Sequence, residues 1–217
     1  AITPDGKEVW VNAGGEDHVP IVDVATLKIK DKVQLGEAIG NGHIWFSPDG
    51  KQAYLTSPKF GRVYIIDIPG RKVLANVPVG KTPTFIQVTS DGKNVWGTNT
   101  GGTDVYVIDA AATTVAATVE VGPNPNHLTI LGQAVYVTVG GANEVAVIEN
   151  VGGNLTVTQR IPVGKKPHGI WSSSDGKRLY VVHEESNDLK VIDLSSRAVV
   201  GSVPVGTKPI AVVVAKR

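Results

Sequence analysis

Three short patterns recur in one order along the chain, about 42 residues apart, and a fixed period of this length decides the architecture before any single element is assigned. The first is a turn signal: Asp5-Gly6, Asp49-Gly50, Asp91-Gly92 and Asp175-Gly176, with Gly132-Gln133 where the fourth copy falls due. The second is an apolar run ending in an acid: Ile21-Val22-Asp23, Ile65-Ile66-Asp67, Val107-Ile108-Asp109, Val147-Ile148-Glu149 and Val191-Ile192-Asp193. The third closes each unit: Val33-Gln34-Leu35-Gly36, Val77-Pro78-Val79-Gly80, Val119-Glu120-Val121-Gly122, Ile161-Pro162-Val163-Gly164 and Val203-Pro204-Val205-Gly206.

Between the markers lie short β-branched and aromatic runs, such as Arg178–Val182 and Leu189–Ile192, bounded by Gly, Pro, Asn and Asp. No segment shows an apolar period of 3.6, so helices are not expected and the alternative of a helical solenoid is disfavoured. Each repeat then carries four strands, A to D, and four antiparallel strands per repeat make a propeller blade. The expected fold is all-β: a single propeller domain over 1–217, of five four-stranded antiparallel blades. Its repeats fall at approximately 1–42, 43–83, 84–125, 126–167 and 168–208, with a closing strand in 209–217. That strand, Ile210–Val214, is expected to join the N-terminal blade and close the ring, which removes the sheet edges at the seam. A seven-bladed parent cut at its N-terminus would present the same two ends.

A chain of 217 residues buries roughly 70% of its unfolded surface without staples. A formal charge of +1 gives no footprint for nucleic acid, and no apolar run is long enough to span a bilayer. The sequence has no cysteine, which excludes thiolate catalysis and thiolate metal sites. It has no methionine either, so Ala1 reads as a processed N-terminus or the edge of a truncated chain.

Trp10-Val11-Asn12, Tyr54-Leu55-Thr56, Tyr136-Val137-Thr138 and Tyr180-Val181-Val182 follow the Asp-Gly turn or its counterpart and resemble the YVTN signature of a family of β-propellers. The resemblance runs from Asp5 to Pro209. It implies a propeller related to the haem d1 domain of cytochrome cd1 and to seven-bladed lactonases, and an exported protein, periplasmic or extracellular. Propellers of this family most often have seven or eight blades, so five is a departure.

Catalytic fingerprints are missing: there is no Gly-x-Ser-x-Gly, phosphate loop, dinucleotide motif or His-Glu-x-x-His. The remaining pattern is in histidine. His43, His127 and His168 stand at or beside the start of A strands, and His18 and His183 in or beside B–C loops, so all five map to one face of the blades. His127 and His168 stand in what read as matching positions of adjacent repeats, whereas His43 is offset by one residue. As candidate metal ligands the five imidazoles make a nitrogen and oxygen site, suited to zinc, copper or a haem iron, with Glu16, Asp17 and Glu184 as oxygen donors. The plain alternative is that these are polar loop residues. Trp10, Trp45, Trp96 and Trp171 recur in register and read as packing between blades, and the acids ending each C strand as turn chemistry. The junction Gly36–Gly42 lacks the Pro of the other blade-to-blade turns. Three functions follow: a binding scaffold for a protein or small molecule at the top-face loops, a metal or haem carrier or redox protein, and a small-molecule hydrolase or lyase with a histidine base.

Overall fold

A computed structural model describes residues 1–215. It shows nineteen strands and, among the described residues, no helix. The described residues fall into two compact units, Ala1–Gly101 with Tyr106–Thr118, and Gly102–Val105 with the chain from Val119 onward.

In the first unit β1 (Glu8–Trp10), β2 (His18–Asp23) and β3 (Ile29–Gln34) form one antiparallel sheet, to which Ile2 adds a bridge at Val9. A four-stranded sheet follows in β4 (Ile44–Phe46), β5 (Gln52–Ser57), β6 (Arg62–Asp67) and β7 (Lys72–Pro78). The next comprises β8 (Pro83–Val88), β9 (Asn94–Asn99), β10 (Asp104–Asp109) and β11 (Thr114–Glu120), whose last two strands straddle the division. The second unit holds β12 (Pro125–Leu131), β13 (Ala134–Val139), β14 (Glu144–Val151) and β15 (Asn154–Pro162), then β16 (Pro167–Ser172), β17 (Arg178–His183), β18 (Asp188–Asp193) and β19 (Ala198–Pro204). Strand order is sequential in every sheet, so the five blades of the sequence reading are the five sheets observed.

Beside β1, where Ile210–Val214 was expected, the chain start holds the edge: the Ala1 amino group donates to Trp10 O at 2.9 Å and Trp10 N to Ala1 O at 2.8 Å. Residues 210–214 carry no ladder, and they run past Gly169 in β16. A Cβ there would lie 2.8 Å from Ala211 Cα, so glycine is required.

The turn markers act locally. Ser47 Oγ and Lys51 N both donate to Asp49 Oδ1, at 2.6 and 3.0 Å, and Gly50 supplies φ +68°; the same arrangement recurs at Asp5, Asp91 and Asp175. Asp109 Oδ1 accepts from Ala111 N and Ala112 N, confirming the strand-ending acid as turn chemistry. The irregular junction at 36–42 is structural: Ile39 is fully buried in the cluster with Trp10 and Phe46, and Ser57 Oγ donates to its carbonyl.

The signature threonine links blades. Thr56 Oγ1 accepts from His43 N in its own sheet at 2.8 Å and donates to Thr84 O in the next at 2.7 Å. Thr138 repeats this, accepting from His127 N at 3.0 Å and donating to His168 O at 2.6 Å. Asn12 serves the first blade, donating to Gly40 O and Gly42 O. Around these bridges aliphatic faces interlock: Tyr136, Val145, Val147 and Ile161 of one blade pack on Ile170, Leu179, Val181 and Ile192 of the next.

The substitution Thr138→Val keeps the shape and strands two backbone groups, which is expected to cost about 1–3 kcal/mol in urea unfolding at pH 7, and a loss below about 0.3 kcal/mol would contradict the bridge.

Candidate functional site

Thr138 ties down the backbones of both His127 and His168, and the two rings meet edge to face with centroids 4.9 Å apart and planes at 86°. Their register differs from the sequence reading by one residue. Pro125 pairs with Val139 and Pro167 with His183, so His168 matches Asn126, and His127 matches Gly169. The correct counterpart of His127 is His43, since both backbone amides donate to the signature threonine. Pro125 and Leu128 fall on Pro167 and Ile170 without a gap, so matching the two histidines by residue type displaced them by one.

Around His168 the second unit builds a polar cluster. His168 Nδ1 lies 2.6 Å from Glu184 Oε1, and Lys166 Nζ lies 2.8 Å from Glu184 Oε2. Lys166 sits in the junction before β16 at φ +54°, but Thr82, Asn124 and Lys208 do the same in other junctions, so the strain belongs to the blade-to-blade turn. Glu184 begins the β17–β18 loop, which is laced to the 164–167 junction by Glu184 N to Lys166 O at 3.0 Å and Lys165 N to Ser186 Oγ at 3.0 Å. The Glu184 side chain is largely buried, which works to raise its pKa. Bonds from Lys166 and His168 outweigh that burial and hold the carboxyl below its ordinary value, while Lys166 is raised in turn. A carboxylate at Nδ1 makes neutral His168 donate there and leaves the lone pair on Nε2, the atom that binds an electrophile, a proton or a metal.

His183 lies behind this cluster. Its side chain is fully buried, Nδ1 is 2.9 Å from Asp188 Oδ1, and Nε2 is buried without a hydrogen-bond partner. Gly164 packs against the ring, where a Cβ would approach Cγ to 2.7 Å. Burial pushes the imidazole pKa down against the pull of Asp188. In the first unit His43 packs on Phe85 with centroids 5.3 Å apart. His18 Nδ1 is 3.0 Å from Asp17 Oδ1, and Glu16, Asp17 and His18 bring three donor atoms within 4.8 Å of one another on an exposed loop. The structure thus gathers His127, His168 and Glu184, and sets His18 with Glu16 and Asp17. Lys166 and the role of Thr138 carry no motif of their own and were not singled out from sequence. Trp10 and Trp96 are buried, Trp10 edge-on to Phe46 at 5.5 Å, in keeping with packing.

Residues 1–199 match the family model described as Lactonase, 7-bladed beta-propeller. The chain belongs to that family. Among solved structures this propeller resembles a functionally unknown protein from Desulfotomaculum acetoxidans, with TM-score 0.85 and 15% identity over 96% of this chain and 69% of that one. It also resembles streptogramin B lyase (0.78, 20%, 94% and 68%) and the dihydro-haem d1 dehydrogenase NirN in complex with DHE (0.74, 22%, 96% and 46%). No curated protein matches it in sequence. These structural likenesses carry the fold, and the lactonase-family chain owes its polar cluster to its own residues.

A histidine with a lowered folded pKa stays neutral while the unfolded chain takes up a proton, so its stability is present above the unfolded value near 6.5 and drains away as pH falls below it. Urea midpoints are expected to drop between pH 7 and pH 5, and to drop less in His183→Asn; equal slopes for the two proteins would contradict the burial of His183.

Proposed function

We propose that this protein is a ligand-binding propeller module whose ligand is held at His168 and His127, by a nitrogen lone pair directed by Glu184. The carrying observation is the 2.6 Å contact between His168 Nδ1 and a carboxylate that Lys166 holds from its other side. This is the arrangement in which a carboxylate fixes an imidazole's tautomer and ring orientation. The fitting ligands are small and electron-poor: a transition-metal ion or an activated carbonyl. Zinc, copper or a haem iron would be held through His168 Nε2 with His127 as a second nitrogen donor, and the donor set fits the borderline metals. The Glu16, Asp17 and His18 group on its exposed loop is the competing place for an ion. We place the protein outside the cytoplasm, periplasmic or extracellular, on the resemblance of its repeats to exported propellers.

A second reading is favoured by the same pair together with the family. Glu184 as orienter and His168 as general base are the parts a hydrolase or lyase acting on a small cyclic ester needs, and such a base contributes about 10²–10⁴-fold.

Calorimetric titration with Zn²⁺ and Cu²⁺ and turnover of a lactone panel test both readings. Expected is one tight equivalent of metal, or turnover, that falls at least tenfold in His168→Ala and is kept in His18→Ala. Loss in His18→Ala alone moves the site to the exposed loop, and neither binding nor turnover in the wild type overturns both readings.

A further inference from the structure

Asn41 is the only asparagine of the chain that is followed by glycine, and it stands where other junctions carry proline. The backbone amides of His43, Phe85 and His127 each donate to a threonine of their own sheet, Thr56, Thr98 and Thr138, at 2.8, 3.3 and 3.0 Å. Aligned on these amides, Asn41-Gly42 falls on Pro83-Thr84 and on Pro125-Asn126. The junction at 36–42 thus exchanges a residue whose ring fixes φ for an asparagine with the most permissive neighbour available.

Gly42 is dictated by the fold. A Cβ there would lie 1.9 Å from Thr56 O and 2.6 Å from Thr56 Oγ1, the hydroxyl that links the sheet to Thr84 in the next. Asn41 is exposed, and its amide oxygen rests against the bare backbone of Gly14, 2.2 Å from where a Cβ would sit. No hydrogen bond among the described residues holds that amide. The four Asp-Gly turns are the contrast. Each carboxylate there accepts from a hydroxyl and a backbone N–H, and each glycine amide donates to the carbonyl three residues back. Gly42 N has only a bond to Gly40 O, at 3.1 Å, which closes a three-residue turn around Asn41.

We infer that Asn41 is a site of spontaneous covalent modification in the folded protein, by way of a succinimide. The Gly42 nitrogen attacks Asn41 Cγ, the new C–N bond closes a ring, the Cγ–Nδ2 bond breaks, and ammonia leaves with the proton of the Gly42 amide. Water then opens the ring. Addition at Cγ gives aspartate, whereas addition at the main-chain carbonyl of residue 41 frees that carbonyl from Gly42 N and gives isoaspartate, in which the chain runs on through Cγ. Either product carries oxygen in place of the amide nitrogen and a new negative charge. The isoaspartate chain is also longer by one carbon, at a point that Asn12 clamps. Asn12 Nδ2 donates to Gly40 O at 3.1 Å and to Gly42 O at 2.8 Å, the carbonyls on either side of residue 41. Lengthening the chain between them pulls that pair apart and displaces His43, the next residue, from Thr56.

Ageing the full chain at pH 9 and pH 6, in buffer and in urea, tests this by peptide mapping with electron-transfer fragmentation, which separates isoaspartate from aspartate. In buffer at pH 9 the Asn41 amide is expected to be lost at least tenfold faster than any other asparagine amide. Loss is expected to slow at pH 6, because the attacking Gly42 nitrogen must give up its proton. Asn41→Gln, whose longer side chain closes a less favourable ring, is expected to keep its amide. The isoaspartate fraction is expected to unfold at a lower urea midpoint than Asn41→Asp, which carries the same charge on a chain of ordinary length. An Asn41 that is lost in urea and kept in buffer overturns the proposal, since the fold would then shield it. Equal midpoints for the isoaspartate protein and Asn41→Asp overturn the effect assigned to the Asn12 clamp.

Discussion

One hydroxyl group orders much of the second unit. Thr138 Oγ1 accepts the His127 amide and donates to the His168 carbonyl, so a single side chain joins two blades and sets the distance between two imidazoles. The same bridge at Thr56 holds His43 and Thr84. Aliphatic packing between blades supplies most of the burial, but it is non-directional and would tolerate a slide between neighbouring sheets. The bridge is directional, and it fixes the offset. A fold-level signature therefore doubles as the positioning device of the candidate site.

The polar cluster follows from that placement. With His168 fixed on β16, the β17–β18 loop brings Glu184 to its Nδ1, and the junction before β16 brings Lys166 to the far oxygen. Hydrogen bonds from Lys166 and His168 keep a largely buried carboxylate ionised despite the desolvation that works against it. His183 and Gly164 fill the space behind with an imidazole that burial keeps neutral, so the loops holding the cluster are anchored without a further buried charge. Elsewhere ion pairs tie blades together: Arg71 reaches Glu8 from the preceding blade at 2.5 Å, and Arg197 reaches Glu149 in the same way at 2.5 Å.

The sheets were legible in the sequence because each is announced by local chemistry: Asp-Gly at one turn, an acid at another, and β-branched runs between. The histidines were legible as loop and strand-start residues. Their register was not, because two histidines in adjacent repeats invite pairing by residue type, whereas the ladder aligns Pro125 with Pro167 and Leu128 with Ile170 and sets His127 opposite Gly169. Lys166 and Glu184 lie eighteen residues apart and meet only through the fold, so no spacing rule reveals them. The closing strand was assigned to Ile210–Val214 because the repeat places an A strand there, yet these residues carry no ladder, and Ala1–Thr3 hold the edge of β1 by backbone bonds.

The direct test of the account is the tautomer of His168, read by long-range ¹H–¹⁵N correlation in the wild type and in Glu184→Gln at pH 8. The structure predicts a proton on Nδ1 and an unprotonated Nε2 in the wild type, with the bias weakened when the carboxylate is replaced. A wild-type His168 protonated on Nε2, or populating both tautomers as a free imidazole does, would contradict the pairing with Glu184 on which the site rests.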